Sequence, residues 1–359
     1  PDLSVKLGTQ NAFNNCHDKE SALWAATKME EWYGKQPVGH QIFASAVHAM
    51  RKQLPAAFDL SQPLIADSEQ PAIVRATLLG LSGQSAHPGV MAALREAVKD
   101  EDPMVRVSAL LAMESMEPLS RVQLAFPLLE DDARVVRMHA ARLLAAIPAG
   151  DLPARQKSLL DAGIQEYVDA QLFNAERPES QVNLGGIYAD LGRIDEANSA
   201  YQKALQLQPK FAPAYINQSQ LLNRQNRLDE AISLLEKGIG QVPDNAALHH
   251  ALGLALVRKK DVKRALGHLS RAAEIEPDVA RYSYVYAIGL QSTGDISGAI
   301  LELEQTHGRH PGDTDVLLAL VTINRDAGNN SSALRYLRKL KKMYPENAGL
   351  LQMEQQLTR

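Results

Sequence analysis

Apolar and small residues recur in the second half of the chain with a period of 34 residues. Five prolines mark this period most clearly, namely Pro209, Pro243, Pro277, Pro311 and Pro345. With Pro209 numbered as position 32, the first period places apolar or small residues at Leu184, Gly185, Tyr188, Ala197, Tyr201 and Ala204. Alanine returns at the position of Ala197 as Ala231, Ala265, Ala299 and Ala333. A small residue at one fixed position lets two helices cross closely, so the pattern predicts stacked helix pairs.

Turn-forming residues separate the two predicted helices in most periods. They are Gly192, Asn226, Gly294 and Gly328. A helix C-terminus often needs such a residue because glycine and asparagine tolerate positive φ. This helix-turn-helix pattern resembles the tetratricopeptide repeat, whose period is 34 residues. We therefore predict five tetratricopeptide (TPR) units over residues 178–345, closed by a capping helix over residues 346–359.

A second period, of 31 residues, runs through residues 56–150. Its markers are Val74-Arg75, Val105-Arg106 and Val136-Arg137, each preceded by an acidic turn and followed by a run of small apolar residues. The pattern resembles three short HEAT repeats, in which the acidic turn caps a helix and the arginine reaches the acidic turn of the neighbouring unit. We interpret these arginines as structural, since a binding site would not require the period of the stack.

The fold that these patterns predict is all-α. It is a right-handed α-solenoid of short HEAT-like repeats followed by five TPR units, with an irregular N-terminal segment. Residues 151–177 have apolar side chains at helical spacing and are predicted to link and cap the two arrays. Stacked repeats present extended surfaces, so the architecture indicates a scaffold that binds other proteins.

Composition and motifs narrow the possible functions. The 359 residues carry a net charge of -4 with no basic stripe, which disfavours nucleic acid, and no apolar run approaches the ~18 residues of a membrane helix. The single cysteine excludes an internal disulfide framework and a cysteine-rich zinc site. No phosphate loop, zinc-protease motif or nucleophile elbow is present, so we predict no enzyme activity. The chain begins with Pro1 instead of Met, and we expect a processed or trimmed product.

The N-terminal segment, residues 1–55, carries the candidate redox chemistry. A c-type haem site has the pattern Cys-x-x-Cys-His, in which two thiols bond the haem and the histidine binds the iron. Phe13, Cys16 and His17 have this spacing, with Phe13 in place of the first cysteine. One thioether from Cys16 and a proximal iron ligand from His17 would still be possible. The alternative is an ordinary buried cysteine that happens to precede a histidine.

The sequence around this pair resembles the last haem-binding segment of multihaem c-type cytochromes that carry a C-terminal HEAT and TPR tail. The resemblance rests on residues 1–9, 11–19, 25–26 and 32–34 and extends over essentially the whole chain. It implies one haem c, electron transfer, a periplasmic or cell-surface location, and other cytochromes among the protein partners. The chain departs from the family at Phe13, where the family has its first cysteine, and it lacks the upstream haem motifs.

A helix is predicted directly after the Cys16-His17 pair. It runs over residues 21–33, is capped by Asp18 and is stopped by Gly34. Trp24 lies on this helix, where it would either flank a porphyrin or plug the open end of the solenoid.

A second predicted helix, over residues 40–54, carries the candidate for the distal ligand of the haem iron. His40 and His48 are eight residues apart and face the same direction. We expect His48 or His40 to be the sixth ligand if haem is bound. The alternative is that both are surface residues of an amphipathic helix.

Candidate partner-binding residues follow from the register of the TPR units. The first helix of each unit, helix A, points a fixed set of positions into the groove of the stack. The candidates are Asn223, Arg224, His250, Arg258, Arg281, Tyr284 and Arg325. Arginine and tyrosine often carry binding energy and arginine matches carboxylates, so we predict an extended acidic or C-terminal peptide as the ligand. The alternative is that these arginines are only solvated.

Two functions therefore remain open. The first is an extracytoplasmic electron-transfer protein with one haem held by Cys16 and His17 on a HEAT-TPR interaction solenoid. The second is a haem-free scaffold or assembly protein that only binds other proteins.

Overall fold

The computed structural model describes residues 1–34, 43–83, 85, 87–147 and 152–358. Within these residues the regular structure is helical and contains no strand, as the all-α prediction requires. The chain divides into two compact units, Pro1–Ala112 and Met113–Arg359.

The first unit contains eight α-helices in its described residues. They are α1 (Asp2–Leu7), α2 (Ala12–Cys16), α3 (Ala22–Tyr33), α4 (Phe43–Arg51), α5 (Ala57–Ala66), α6 (Ala72–Ser82), α7 (Gly89–Ala97) and α8 (Pro103–Ala112). The second unit begins with the short 3-10 helices Met113–Ser115 and Phe126–Glu130 together with α9 (Pro118–Ala125), α10 (Arg134–Leu144) and α11 (Ala154–Phe173).

Five helix pairs and one final helix complete the second unit. The pairs are α12 (Pro178–Asp190) and α13 (Ile194–Leu207), α14 (Ala212–Arg224) and α15 (Leu228–Gln241), α16 (Ala246–Arg258) and α17 (Val262–Ile275), α18 (Ala280–Ser292) and α19 (Ile296–Arg309), and α20 (Thr314–Asp326) and α21 (Asn330–Met343). The final helix is α22 (Ala348–Leu357). Each pair occupies one of the five predicted TPR units.

The N-terminal segment is more ordered than the sequence predicts. Instead of an irregular stretch it forms the short helices α1 and α2, because Gly8 ends α1 with φ 71° and the Asn11 side chain caps α2 by accepting from the Asn14 N–H at 3.2 Å. The predicted cap of α3 is also wrong. Ser21, not Asp18, caps this helix, since its hydroxyl accepts from the Trp24 N–H at 3.1 Å.

The acidic turns and arginines of the HEAT-like pairs behave as predicted only in part. In the turn before α8, the Asp102 carboxylate accepts from the Met104 N–H at 2.8 Å. The guanidinium of Arg75, on α6, forms an ion pair with Asp100 in the acidic turn of the next helix pair. In the second unit Arg137, on α10, binds Glu166 on α11. Arg75 therefore reaches the neighbouring acidic turn as predicted, while Arg137 binds a helix residue instead. Arg106 donates to the carbonyls of its own turn.

The turn between the helices of each TPR unit has positive φ at the same position. The values are 73° at Gly192, 60° at Asn226, 63° at Lys260, 89° at Gly294 and 77° at Gly328. The third unit is the exception to the predicted residue types. The repeat geometry imposes this conformation whatever the side chain, at a cost of about 1–2 kcal/mol for a residue such as lysine.

In each of the first three TPR units, a side-chain hydrogen bond joins helix A to the preceding turn. The Gln181 side chain donates to the Ala175 carbonyl at 2.7 Å, the Tyr215 hydroxyl to the Pro209 carbonyl at 2.9 Å, and the His249 ring to the Pro243 carbonyl at 2.9 Å. Each donor lies six residues after its acceptor. Because three different residue types perform the same task, the sequence pattern does not reveal it.

The core of the second unit runs through the contacts between successive helices. The alanines at the predicted close crossing, Ala197, Ala231, Ala265, Ala299 and Ala333, are all fully buried. A buried cluster that includes Ala145, Tyr167 and Leu184 joins α10, α11 and α12. A separate buried cluster joins α14, α15, α16 and the start of α17, and it packs under two of the helices that form the groove described next.

Candidate peptide-binding groove

Three helices A form a pocket in the second unit, and we call the surface around it the groove. The pocket has a volume of about 270 Å3 and is lined by α14, α16 and α18. Its walls are Ile216, Ser219, Gln220, Asn223, Ala247, His250, Ala251, Leu254, Arg258 and Tyr282. The lining combines apolar side chains with hydrogen-bonding groups, and we call the latter the polar wall. This combination fits a ligand with an apolar side chain and polar neighbours.

The structure brings three of the sequence candidates into this pocket. Asn223, His250 and Arg258 line it together, as their register on helix A predicts. Sequence reasoning missed Tyr282, which enters from the start of α18. Tyr284 lies outside the pocket lining and packs against the buried cluster of the last two TPR units. The helix A register favours Tyr284 over Tyr282, and at this helix the pocket lining contains Tyr282 instead.

The polar wall of the pocket contains two unpaired atoms. The His250 ring packs against Tyr282 with ring centroids 4.9 Å apart and planes inclined by 44°. The Nδ1 atom of His250 and the Oδ1 atom of Asn223 are buried and have no hydrogen-bond partner among the described residues. Each such atom costs roughly 1–3 kcal/mol, so unpaired polar groups are more typical of functional sites than of closed cores.

The arginines of the groove differ in their pairing. Arg258 is exposed at the pocket rim and forms no ion pair with any described residue. Arg224 lies 3.5 Å from the Asp190 carboxylate, which Arg142 also binds at 2.6 Å. Arg258 is therefore the cation that is most available to an acidic ligand.

The two remaining arginine candidates have local contacts. The Arg281 guanidinium lies 5.6 Å from the centre of the Tyr284 ring. Arg325 pairs with Asp326, its neighbour in sequence, at 2.8 Å. Neither residue lines the pocket.

Burial keeps the imidazole of His250 neutral. The loss of water around the ring lowers the pKa of His250 from 6.5 to about 4, and the nearby positive charge of Arg281 acts in the same direction. The polar wall is therefore uncharged at neutral pH, and the positive charge of the groove comes from arginine.

Stability should fall in mild acid because of this histidine. The unfolded chain binds a proton near the ordinary pKa of 6.5, while the folded chain resists it down to about 4. The stability that His250 contributes is complete above pH 6.5 and is lost as the pH falls toward 4, so we expect this group to lower the free energy of unfolding by up to about 2 kcal/mol between pH 7 and pH 5. Burial also lowers the pKa of His139, His268 and His307, and these groups add to the drop. Urea unfolding at both pH values measures this drop.

His250→Phe, which keeps an aromatic ring beside Tyr282, should reduce the drop in the free energy of unfolding between pH 7 and pH 5. An unchanged drop would assign the effect to other groups.

The N-terminal candidates lie together at the end of α2. Cys16 is the last residue of this helix, His17 follows it, and both are exposed. The His17 ring packs beside Trp24 with centroids 5.1 Å apart and planes inclined by 53°. Phe13 is half-buried one turn earlier, and its carbonyl accepts from the His17 N–H at 2.8 Å.

The candidate distal ligands are not brought to His17 by any described contact. His48 is half-buried on α4, and the described residues show no hydrogen bond or ring contact between it and His17. His40 lies outside the described residues. Over the part of the chain that the structure describes, no group of three or more histidine, cysteine, aspartate or glutamate side chains is placed to hold a metal ion. None of the described helices has both the length and the apolar character needed to cross a membrane.

Comparison with protein families assigns two stretches of the chain. Residues 188–252 and 222–288 match the tetratricopeptide repeat, and residues 61–145 match HEAT repeats. The matched stretches do not include Cys16 or His17. A comparison with curated proteins found no match.

Several solved structures are similar to this chain. PilW, described as a type IV pilus biogenesis factor, is 19% identical with a TM-score of 0.45 and covers 66% of this chain and 97% of its own. YrrB, described as a TPR protein with an unusual peptide-binding site, is 23% identical with a TM-score of 0.40 and covers 52% and 96%. PilF of Pseudomonas aeruginosa is 16% identical with a TM-score of 0.42 and covers 61% and 99%. Over its described residues the chain is an all-α repeat protein, in which residues 61–145 match HEAT repeats and residues 188–288 match the tetratricopeptide repeat.

Proposed function

We propose that this protein is a non-catalytic interaction scaffold whose groove binds an extended acidic segment of a partner protein. The observation that carries the proposal is the pocket between α14 and α16, with the unpaired Arg258 at its rim. The pocket can bury an apolar side chain of a ligand, and the neighbouring guanidinium can donate two parallel hydrogen bonds to a carboxylate of the same ligand.

Charge and burial both support this choice of ligand. The polar wall of the pocket is neutral because burial lowers the pKa of His250 and keeps its ring unprotonated at pH 7. Arg224 and Arg258 end successive helices A and are both exposed. Buried contacts with arginine and aromatic residues are the usual centres of binding energy at interfaces.

Selection from a random peptide library displayed on phage tests the proposal. We expect the wild-type protein to enrich peptides rich in aspartate and glutamate. The double variant Arg224→Ala/Arg258→Ala should bind the selected peptides about 10- to 30-fold more weakly, a loss of about 2 kcal/mol. Tyr284 is left intact because it packs against the core of the last two units.

The matched control is Arg338→Ala, which removes an exposed cation from α21, the second helix of its unit. This variant should keep the wild-type affinity. If no peptide is enriched over a blank surface, or if both variants lose affinity equally, the groove is not a peptide-binding site.

A haem-binding function is the second candidate, and the adjacency of Cys16, His17 and Trp24 favours it. The thiol and the imidazole are both exposed, and the indole packs beside the imidazole. These groups fit a haem that is held by one thioether and one axial ligand. A bound haem would supply one-electron transfer. Because haem c is attached outside the cytoplasm, this candidate includes an exported protein with cytochromes among its partners.

An absorption spectrum of the exported protein tests the second candidate. We expect a Soret band and a thioether-type haemochrome spectrum that are lost in Cys16→Ala and in His17→Ala. His87→Ala removes a half-buried histidine of the same unit and should leave both spectra unchanged. A colourless, exported and folded protein would exclude haem and leave the scaffold function in place.

A further inference from the structure

A second cationic site lies next to the pocket. One of its residues, Arg142, belongs to the HEAT-like part of the second unit. Arg142 extends from α10 to the end of α12, where it binds the Asp190 carboxylate at 2.6 Å. Arg224 reaches the other oxygen of the same carboxylate at 3.5 Å. Two guanidinium groups thus share one carboxylate, which leaves one positive charge in excess.

Gly186, on α12, lies beside the Arg142 guanidinium without steric conflict. A Cβ atom built at Gly186 would lie 3.6 Å from the Nη2 atom of Arg142. The Arg142 side chain remains about a third exposed, at 37%. The guanidinium is therefore held at helix A of the first TPR unit and can still meet a ligand from solution.

The groove consequently carries two cationic sites at helix ends. The Arg142 and Arg224 pair stands at the ends of α12 and α14, and Arg258 stands at the end of α16. The apolar pocket residues Ile216 and Leu254 lie about two turns and one turn before these ends, on α14 and α16. Neighbouring helices pack with their axes about 8–10 Å apart, and an extended chain advances about 3.3 Å per residue. About three residues of a ligand therefore span the distance from the Arg142 and Arg224 pair to Arg258.

We propose that the groove recognises a short extended segment in which two carboxylates about three residues apart flank one bulky apolar side chain. One carboxylate meets the Arg142 and Arg224 pair, the apolar side chain enters the pocket, and the other carboxylate meets Arg258. The inference rests on the proposed peptide-binding function and specifies its ligand. Arg142 is a specificity-determining residue in this scheme, contributed from outside the TPR units.

Fluorescence anisotropy with labelled synthetic peptides tests the spacing. The reference peptide is Gly-Ser-Glu-Leu-Ala-Glu-Ser-Gly. The first control has the same composition with the two glutamates adjacent, the second replaces Leu by Ala, and the third replaces both Glu by Gln. We expect the reference peptide to bind about tenfold more tightly than each control at low salt, and with the same ranking at physiological salt.

Variants of the protein show which carboxylate of the peptide binds at which of the two arginine sites. Arg142→Gln and Arg258→Gln should each weaken binding of the reference peptide about five- to tenfold. For a peptide that keeps only one glutamate, the affinity should fall with one of the two variants and stay unchanged with the other. The peptide that keeps the other glutamate should show the reverse. Arg338→Gln, on α21, is the matched control and should change nothing. Since Arg258 is exposed, its replacement tests the scheme even if Arg142→Gln perturbs folding.

The failures of the two proposals are distinguishable. Equal binding of the reference peptide and the control with adjacent glutamates would overturn the spacing and keep an acidic-segment scaffold. The spacing is also overturned, and the scaffold kept, if library-selected acidic peptides bind while the reference peptide does not. If neither the reference nor any library peptide binds, the groove function itself is overturned.

Discussion

Gly185→Ala should lower the free energy of unfolding by about 2 kcal/mol, although alanine is the better helix former. Gly185 lies inside α12, where a Cβ atom would come within 2.6 Å of Cδ1 and 2.7 Å of Cζ of the Tyr201 ring. Tyr201 is only 3% exposed, so its ring has little space to move away. The steric cost therefore exceeds the gain of about 1 kcal/mol in helix propensity. The midpoint of urea unfolding measures the change.

Two further variants isolate the steric cause. Gly267→Ala, at a site of α17 with no atom within 4 Å of the new Cβ, should raise stability by about 0.5–1 kcal/mol. The double variant Gly185→Ala/Tyr201→Leu copies the pair Ala287 and Leu303, which is fully buried at the same positions of the fourth unit. It should recover most of the loss. A neutral or stabilising effect of Gly185→Ala alone would show that the Tyr201 ring yields easily.

The period of the sequence predicts the TPR array down to its helix pairs, because every unit repeats the same local pattern. The same period that places Gly185 and Tyr201 in one unit does not say that they touch. That contact depends on how two helices cross, and the structure supplies it. Lys260 is a similar case, since the repeat fixes a positive φ there without the glycine or asparagine that would announce it.

Local competition between capping residues explains the wrong prediction at α3. Asp18 and Ser21 both precede the helix and both are good N-cap residues. The choice depends on where the preceding short helix α2 ends, and the polar and apolar pattern carries no signal for a helix of five residues.

The groove could be predicted in part from helix geometry. The 34-residue register is enough to place Asn223, His250 and Arg258 on the same surface. It cannot tell which arginines are already paired, since the partners of Arg224 and Arg325 are set by side-chain conformation. The register gives no sign of Arg142, because this residue belongs to another repeat type and lies 48 residues before its partner Asp190.

Arg137→Ala is expected to lower the free energy of unfolding of the second unit by about 2–3 kcal/mol. Arg137 donates to both carboxylate oxygens of Glu166, at 3.0 and 2.7 Å. It also donates to the carbonyls of Asp131 and Asp132 at 2.8 and 3.0 Å. Its removal leaves the half-buried carboxylate of Glu166 without this partner, and it breaks the link between α10 and α11. Urea unfolding measures the loss, which should persist at high salt because the pair is shielded.

The matched control is Arg155→Ala, which breaks a neighbouring ion pair of the second unit. Arg155 lies on α11 and contacts Glu130 at 2.8 Å, but its side chain is 80% exposed. We expect this variant to change stability by less than about 0.5 kcal/mol, because an exposed pair is solvated before and after. Arg137→Lys should recover less than half of the loss, since an ammonium group cannot form the paired bonds of a guanidinium. If Arg137→Ala costs no more than Arg155→Ala, the structural interpretation of the periodic arginines is wrong at this position.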